Sequence, residues 1–159
     1  MTNYTIEEKE SFTVLGIGTE IKSHYTDFVG VNEEKSAFWK KVNEDGTLDT
    51  LKSIATNDYL FVVNEAINNK MMHYVGVITD TELPEATRMI QFPKGEYLVV
   101  KGEAATAEEL SNTLTAITFG QVLAEVKDFS YVGGTNASVE MGQKDGVYFG
   151  EMWIPVVRN

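Results

Sequence analysis

The sequence predicts an α+β domain in which two strand-helix-strand-strand modules pair side by side in one antiparallel sheet. Helices cover one face of that sheet, and a ligand cleft lies between the modules on the other. Three observations predict it. The same order of signals occurs twice, over about residues 4–80 and 87–158. Short apolar runs of period two alternate with amphipathic runs of helical period. A polar connector, Thr81 to Ala86 (TELPEA), divides the chain, and its Pro84 disfavours both helix and central strand. The 159 residues are expected to form one domain.

In the first half, Ser11 to Ile21 (SFTVLGIGTEI) is rich in β-formers, with alternation broken by Gly16 and Gly18, and reads as a strand. Asn32 is placed as the cap of a helix whose first turn sets Glu33 and Glu34 against the positive end of the dipole. Phe38 and Val42, four apart, give that helix one apolar face, and it is expected to end between Asn43 and Gly46. Leu48, Leu51 and Ile54 predict a second, short helical piece over Thr47 to Ala55. Tyr59 to Val63 and Met72 to Thr79, around a polar loop containing Asn68 and Asn69, predict an antiparallel strand pair.

In the second half, Met89 to Pro93 leads through the turn signal Lys94-Gly95 into a strand over Tyr97 to Gly102. Thr106 and Glu109 have the spacing of a capping box, and the series Leu110, Leu114, Ile117, Phe119, Val122, Leu123 and Val126 predicts a helix of about 20 residues. After the loop around Gly133-Gly134, Ala137 to Gly142 and Val147 to Val157 read as two strands separated by Gln143-Lys144-Asp145-Gly146.

Composition excludes several functions. Lysine and arginine total 13 against 24 acidic residues, a net charge of −11, and the basic residues are scattered. Such a surface repels phosphate backbones and anionic lipid, so no direct nucleic-acid or membrane partner is expected, and a cationic ligand fits better. No cysteine is present, which rules out disulfides, thiol nucleophiles and thiolate metal sites and suits a cytoplasmic location. The N-terminal segment MTNYTIEEKESF has no basic-then-apolar pattern, so no signal peptide or membrane span is expected. His24 and His73 lack paired ligand spacing, so no metal is expected. Gly16-Ile17-Gly18 lacks the third glycine and following helix of a dinucleotide site, and no Gly-x-Ser-x-Gly elbow occurs, so no cofactor and no serine nucleophile are expected.

The C-terminal run YFGEMWIPVV, Tyr148 to Val157, places a glutamate inside an aromatic strand. By alternation Phe149, Glu151, Trp153 and Pro155 share one face. A glutamate on a strand is ordinarily a solvent-facing residue, but a wet face seldom carries two large aromatics four apart. The pattern instead suits a cleft in which a semi-buried carboxylate meets a cation or donor while rings stack on a flat apolar body. With an even-length turn before the last strand, Glu140 shares the face of Glu151; an odd loop or a bulge would undo this.

GEMWIPV, together with Phe38-Trp39-Lys40-Lys41 ahead of Gly46, Tyr74-Val75-Gly76-Val77, Leu83-Pro84 and Pro93-Lys94-Gly95-Glu96-Tyr97, resembles the GyrI-like effector-binding domain, the ligand-binding module of many AraC-type and MerR-type multidrug regulators. The resemblance runs over roughly Tyr4 to Arg158 and implies the duplicated SHS2-type fold with a pseudo-twofold cleft. It implies ligand-binding roles for Glu151, Glu140 and Trp153, with Phe149 beside them and Tyr74 as the counterpart of Glu151 in the other module; Tyr97 and Trp39 are further candidates. The stretch Phe119 to Phe129 departs from the family pattern of a tryptophan, a proline and a Ser-Gly pair.

The expected function is that of a stand-alone protein binding hydrophobic aromatic compounds, cationic ones included, as a sensor or sequestering module. The resemblance also implies two alternatives: a hydrolase of strained cyclopropane-bearing aromatics using Glu151, or an acidic gyrase-inhibitor-like protein acting through a regulator or gyrase as partner. No added helix-turn-helix is expected, and a monomer or weak dimer is expected.

Overall fold

The computed structural model describes residues 4–24, 26–57, 59–83, 86, 88–131 and 135–159. Part of the Pro84 connector and the Gly133-Gly134 loop lie outside these residues. The first half contains β1 (Tyr4–Lys9), β2 (Phe12–Ile21), α1 (Phe28–Glu44), α2 (Thr47–Ile54), β3 (Leu60–Ile67) and β4 (Lys70–Val77). The second contains β5 (Arg88–Phe92), β6 (Gly95–Ala104), α3 (Ala107–Ile117), β7 (Phe129–Tyr131), β8 (Asn136–Lys144) and β9 (Val147–Arg158). A π-helical turn, Thr118–Val122, and a last α turn, Leu123–Glu125, prolong α3, so the long amphipathic run is one rod with a change of winding.

Among the described residues the strands run in the order β1-β6-β9-β8-β3-β4-β2-β5, with β7 added along β9. The order is symmetric about the β3–β8 junction. Pairs run from Leu60 with Glu140 to Asn64 with Asn136, centred on Val62 with Ser138. Because Val63 pairs with Tyr74 and Val139 with Glu151, the pseudo-twofold at that centre relates Tyr74 to Glu151 and Asn64 to Glu140. The result is a curled antiparallel half-barrel with its helices outside, an α+β fold.

Strand alternation divides the core by face. On the helix side, α1 and α2 bury Phe38, Trp39, Val42 and Leu51 against Leu60, Val62, Val75 and Val77, while α3 buries Leu110 and Leu114 against Leu98, Val100, Met152 and Ile154. On the concave side, Phe61, Phe92, Tyr97 and Trp153 pack together with Tyr74, Val99 and Val139. Each fully buried large apolar side chain contributes roughly 1.5–3 kcal/mol.

Two boundaries differ from the sequence reading. The first helix begins at Phe28, not after Asn32: Asp27 caps it by accepting from the Gly30 amide at 3.1 Å. Phe28 and Val29 are 74% and 70% exposed, so the first turn carries no core-facing signal for periodicity to detect. Glu34, expected at the dipole, accepts instead from the amides of Lys22 and Ser23 at 2.9 and 2.8 Å and ties the end of β2 to the helix. Strands β1 and β7 were not expected.

Candidate functional site

The concave face is built from alternate residues of β9, β6, β3 and β4. On β9, Phe149, Glu151 and Trp153 point into it. Trp153 is held on three sides. Its indole Nε1 donates to Glu151 Oε1 at 2.8 Å, and Phe12 and Phe61 meet it edge-on at centroid distances of 5.8 and 5.6 Å. Over its ring stands the ammonium of Lys9, 3.9 Å from the centroid, with Glu7 at 3.6 Å from the same nitrogen. Glu151 is half-buried, flanked by Lys101 on β6 and Val139 on β8. Phe149 is 42% exposed and leans over Gly142, where a Cβ would come within 2.9 Å of its ring.

The first module supplies a second polar group on the same face. Glu65 accepts a bidentate pair from Arg88, Nε at 2.7 Å and the terminal nitrogen at 3.0 Å, and also bonds from the Tyr74 hydroxyl at 3.2 Å and Thr135 at 3.3 Å. Burial, reinforced by the neighbouring Glu65 carboxylate, pushes the Tyr74 hydroxyl up to about 12. The Tyr74 ring lies across Gly18, where a Cβ would fall 2.2 Å from Cδ1. This explains the glycine that breaks the alternation of β2. Tyr97 also lies in the concave core, but its hydroxyl is engaged with the Pro93 carbonyl at 2.7 Å, and burial raises it to about 12.

Two predicted residues are not on this face. Trp39 is 3% exposed and packs under α1 on the helix side. Glu140 was expected beside Glu151, and a β-bulge removes it. Lys144 pairs with Val147 across the two-residue turn Asp145-Gly146, and Gly142 pairs with Phe149; beyond that, Glu140 pairs with Gly150 and Val139 with Glu151. One extra residue, Met141, turns Glu140 to the helix face. The bulge needs a glycine opposite, since a Cβ at Gly150 would meet the Val139 carbonyl oxygen at 2.0 Å. On the helix side Glu140 lines a cleft of about 300 Å³ with Tyr59, Tyr148 and Lys52. Its Oε1 is buried without a hydrogen-bond partner, and burial raises its carboxyl, opposed by Lys52.

The sequence reading missed Glu65, Arg88, Phe12 and Lys9. Glu65 carried a readable signal, because it follows Phe61 and Val63 at intervals of two and so shares their face. Among the described residues no three histidine, cysteine, aspartate or glutamate side chains group as metal ligands. No helix among them is long and apolar enough to cross a membrane.

This geometry brings an aromatic ring, a carboxylate bonded to it and a cation on its face together in one concave sheet. It is suited to recognising a cationic or donor-bearing aromatic compound. The model of the family Cass2, described as integron-associated effector binding protein, matches residues 5–156. Comparison with the curated proteins found no match. Among solved structures, SAV2435 bound to tetraphenylphosphonium is similar at a TM-score of 0.76 and 15% identity, over 98% of this chain and 94% of that one. A putative bacterial transcription regulation protein from Staphylococcus aureus MU50 is similar at 0.72 and 15%, over 98% and 99%. The integron cassette protein VCH_CASS2 from the mobile metagenome of Vibrio cholerae is similar at 0.63 and 14%, over 97% and 95%. At these identities the structural likeness establishes the fold, the curled antiparallel sheet with helices on its outer face.

Proposed function

The chain belongs to the Cass2 family of integron-associated effector binding proteins, and from that premise we propose that its concave face binds hydrophobic aromatic cations, as a sensing or sequestering module. The observation that carries this reading is the Lys9 ammonium on the face of Trp153. The ring already holds a cation, and the carboxylate bonded to that ring makes its surroundings more negative. In this reading a ligand displaces Lys9, stacks on Trp153 and Phe149, and places its charge near Glu151. Tyr74, which the pseudo-twofold relates to Glu151, closes the opposite wall together with the Glu65–Arg88 pair.

The tetraphenylphosphonium held by SAV2435 supports this class of ligand. The description of the Staphylococcus aureus neighbour supports a link to transcription regulation, in which the ligand-bound module would signal to a regulator.

Isothermal titration with tetraphenylphosphonium, neutral triphenylphosphine oxide and anionic tetraphenylborate tests the proposal. Saturable binding selective for the cation is expected, weakened at least ten-fold by Glu151→Gln and by Trp153→Leu. Equal binding of all three compounds, or a Glu151→Gln protein that binds as the wild type does, would sink it.

A further inference from the structure

The bulge at Met141 does more than remove a carboxylate from the concave face. It delivers Glu140 to the floor of a separate cleft between the helical layers of the two modules. Two adjoining cavities there, of about 300 and 290 Å³, share Glu140, Tyr148 and Lys52. Tyr59 lines one and Trp39 the other. A cavity of roughly 150 Å³ with apolar walls already admits a benzene ring, so each has room for an aromatic group.

Among the described residues the other buried side-chain polar atoms without a partner are His73 Nε2 and Thr118 Oγ1, and neither residue lines this cleft, where Glu140 Oε1 stands unpartnered. Ser138 donates to Ser111 at 2.9 Å. Asn64, the pseudo-twofold mate of Glu140, is engaged at both ends of its amide, with Asn136 at 3.3 Å and His73 at 2.8 Å. Glu140 alone of that related pair keeps a buried oxygen with no partner, and among the described residues no ion pair engages it. Buried acceptors are ordinarily bonded, so an orphaned carboxylate oxygen between aromatic walls asks for a donor from outside the chain.

We propose that the Glu140 cleft is a second small-molecule site, which takes a compound bearing an amine or other N–H donor on a flat apolar body. The donor bonds Glu140 Oε1, and the body lies against Tyr148 and Tyr59. Burial already biases Glu140 towards its protonated form, so binding of a protonated amine draws the carboxyl back towards ionisation. Lys52, exposed at the rim, disfavours a second positive charge and selects monocations and neutral donors. This site does not rest on the concave-face reading, because the two carboxylates lie on opposite faces of the sheet.

The chain contains two tryptophans, and one lines each site: Trp39 here and Trp153 on the concave face. Fluorine NMR of protein labelled with 5-fluorotryptophan, titrated with benzylamine, therefore reports each site separately. The Trp39 resonance is expected to move saturably, with the dissociation constant at least ten-fold weaker in Glu140→Gln and unchanged in Glu151→Gln. Benzoate, with no N–H donor and the opposite charge, should leave Trp39 unmoved. A native Trp153 resonance in Glu140→Gln certifies the fold. Should that variant not fold, Tyr148→Ala, which keeps the carboxylate and removes a wall, must weaken the titration instead. Movement of Trp153 alone, a Trp39 shift of equal midpoint in Glu140→Gln, or no shift at all would overturn the second site. The last two outcomes would leave Glu140 a merely hydrated carboxylate.

Discussion

Lys9 Nζ stands 3.9 Å above the centroid of Trp153, while Glu7, two residues earlier on the same strand, lies 3.6 Å from that nitrogen. The cation on the aromatic face thus belongs to β1, a strand held to the sheet on one edge only, along β6. A ligand that uses the ring must compete with it.

Replacing Lys9 by methionine keeps the aliphatic packing and removes the competing charge. A cation–π contact is worth roughly 0.5 kcal/mol when exposed and about 2 kcal/mol when desolvated; with the Lys9 side chain 19% exposed, tetraphenylphosphonium should bind about two- to thirty-fold more tightly, while Lys9→Arg should bind as the wild type does. Isothermal titration decides. Weaker binding by Lys9→Met would mean that Lys9 supports the site and does not occupy it.

Removing Arg88 leaves the Glu65 side chain without its ion-pair partner on a face where it is only 8% exposed. Breaking a fully buried pair costs about 3–5 kcal/mol; with the Arg88 side chain 37% exposed, Arg88→Ala should cost roughly 2 kcal/mol. Urea unfolding measures this, and the double variant with Glu65→Gln should recover part of the loss. A single-variant loss under half a kilocalorie would show that solvent already screens the pair.

His73 gives the stability a defined pH dependence. Its ring is buried, bonded through Nδ1 to Asn64 and met edge-on by Phe38, and burial with the nearby Lys35 ammonium lowers it from 6.5 to about 3. Between those values the unfolded chain binds the proton and the folded protein does not, so this group's contribution is intact above about 6.5 and is lost as pH falls. From pH 6.5 to about pH 4 the loss is roughly 3 kcal/mol at about 1.36 kcal/mol per unit. Unfolding of wild type and His73→Gln at both pH values should show a flatter dependence in the variant; equal slopes would place the titration elsewhere.

Gly18→Ala drives a methyl group into Tyr74 at 2.2 Å from Cδ1, a ring that is 1% exposed and cannot easily retreat. Overpacking of this kind costs about 1–3 kcal/mol. In a Tyr74→Ala background the same substitution should cost less, the remainder coming from the His73 carbonyl oxygen 2.7 Å from the added Cβ, and a double-mutant cycle measured by thermal unfolding isolates the coupling to the ring. Additive losses would contradict the packing described.

What the sequence made legible follows from how each element carries its signal. The helices over Thr47–Ile54 and Ala107–Glu125 and the long strands had periodic apolar faces, so periodicity found them. β1 did not, because Glu7, Glu8 and Lys9 are the charges an edge strand carries. β7 spans three residues, too few for any period to register. Trp153 and Glu151 were placed on one face by simple alternation. Glu140 was misplaced because alternation counts residues, and a bulge inserts one that no composition signal marks. Glu65 was overlooked because the strand was read as ending at Val63, two residues short of it.

The junction of β3 and β8 has the geometry of a subunit boundary enclosed within one polypeptide: two modules meet across an axis, yet a covalent connection makes them unequal. In a true homodimer each residue near such an axis occurs twice. Glu151 would face a second Glu151 where Tyr74 now stands, and Glu140 would recur at Asn64. Four carboxylates would then be drawn out of water where the fused chain holds two. Joining the halves lets Glu151 be matched by Tyr74 and Glu140 by Asn64, so neither carboxylate meets its own copy across the axis while the sheet keeps the architecture of a symmetric pair.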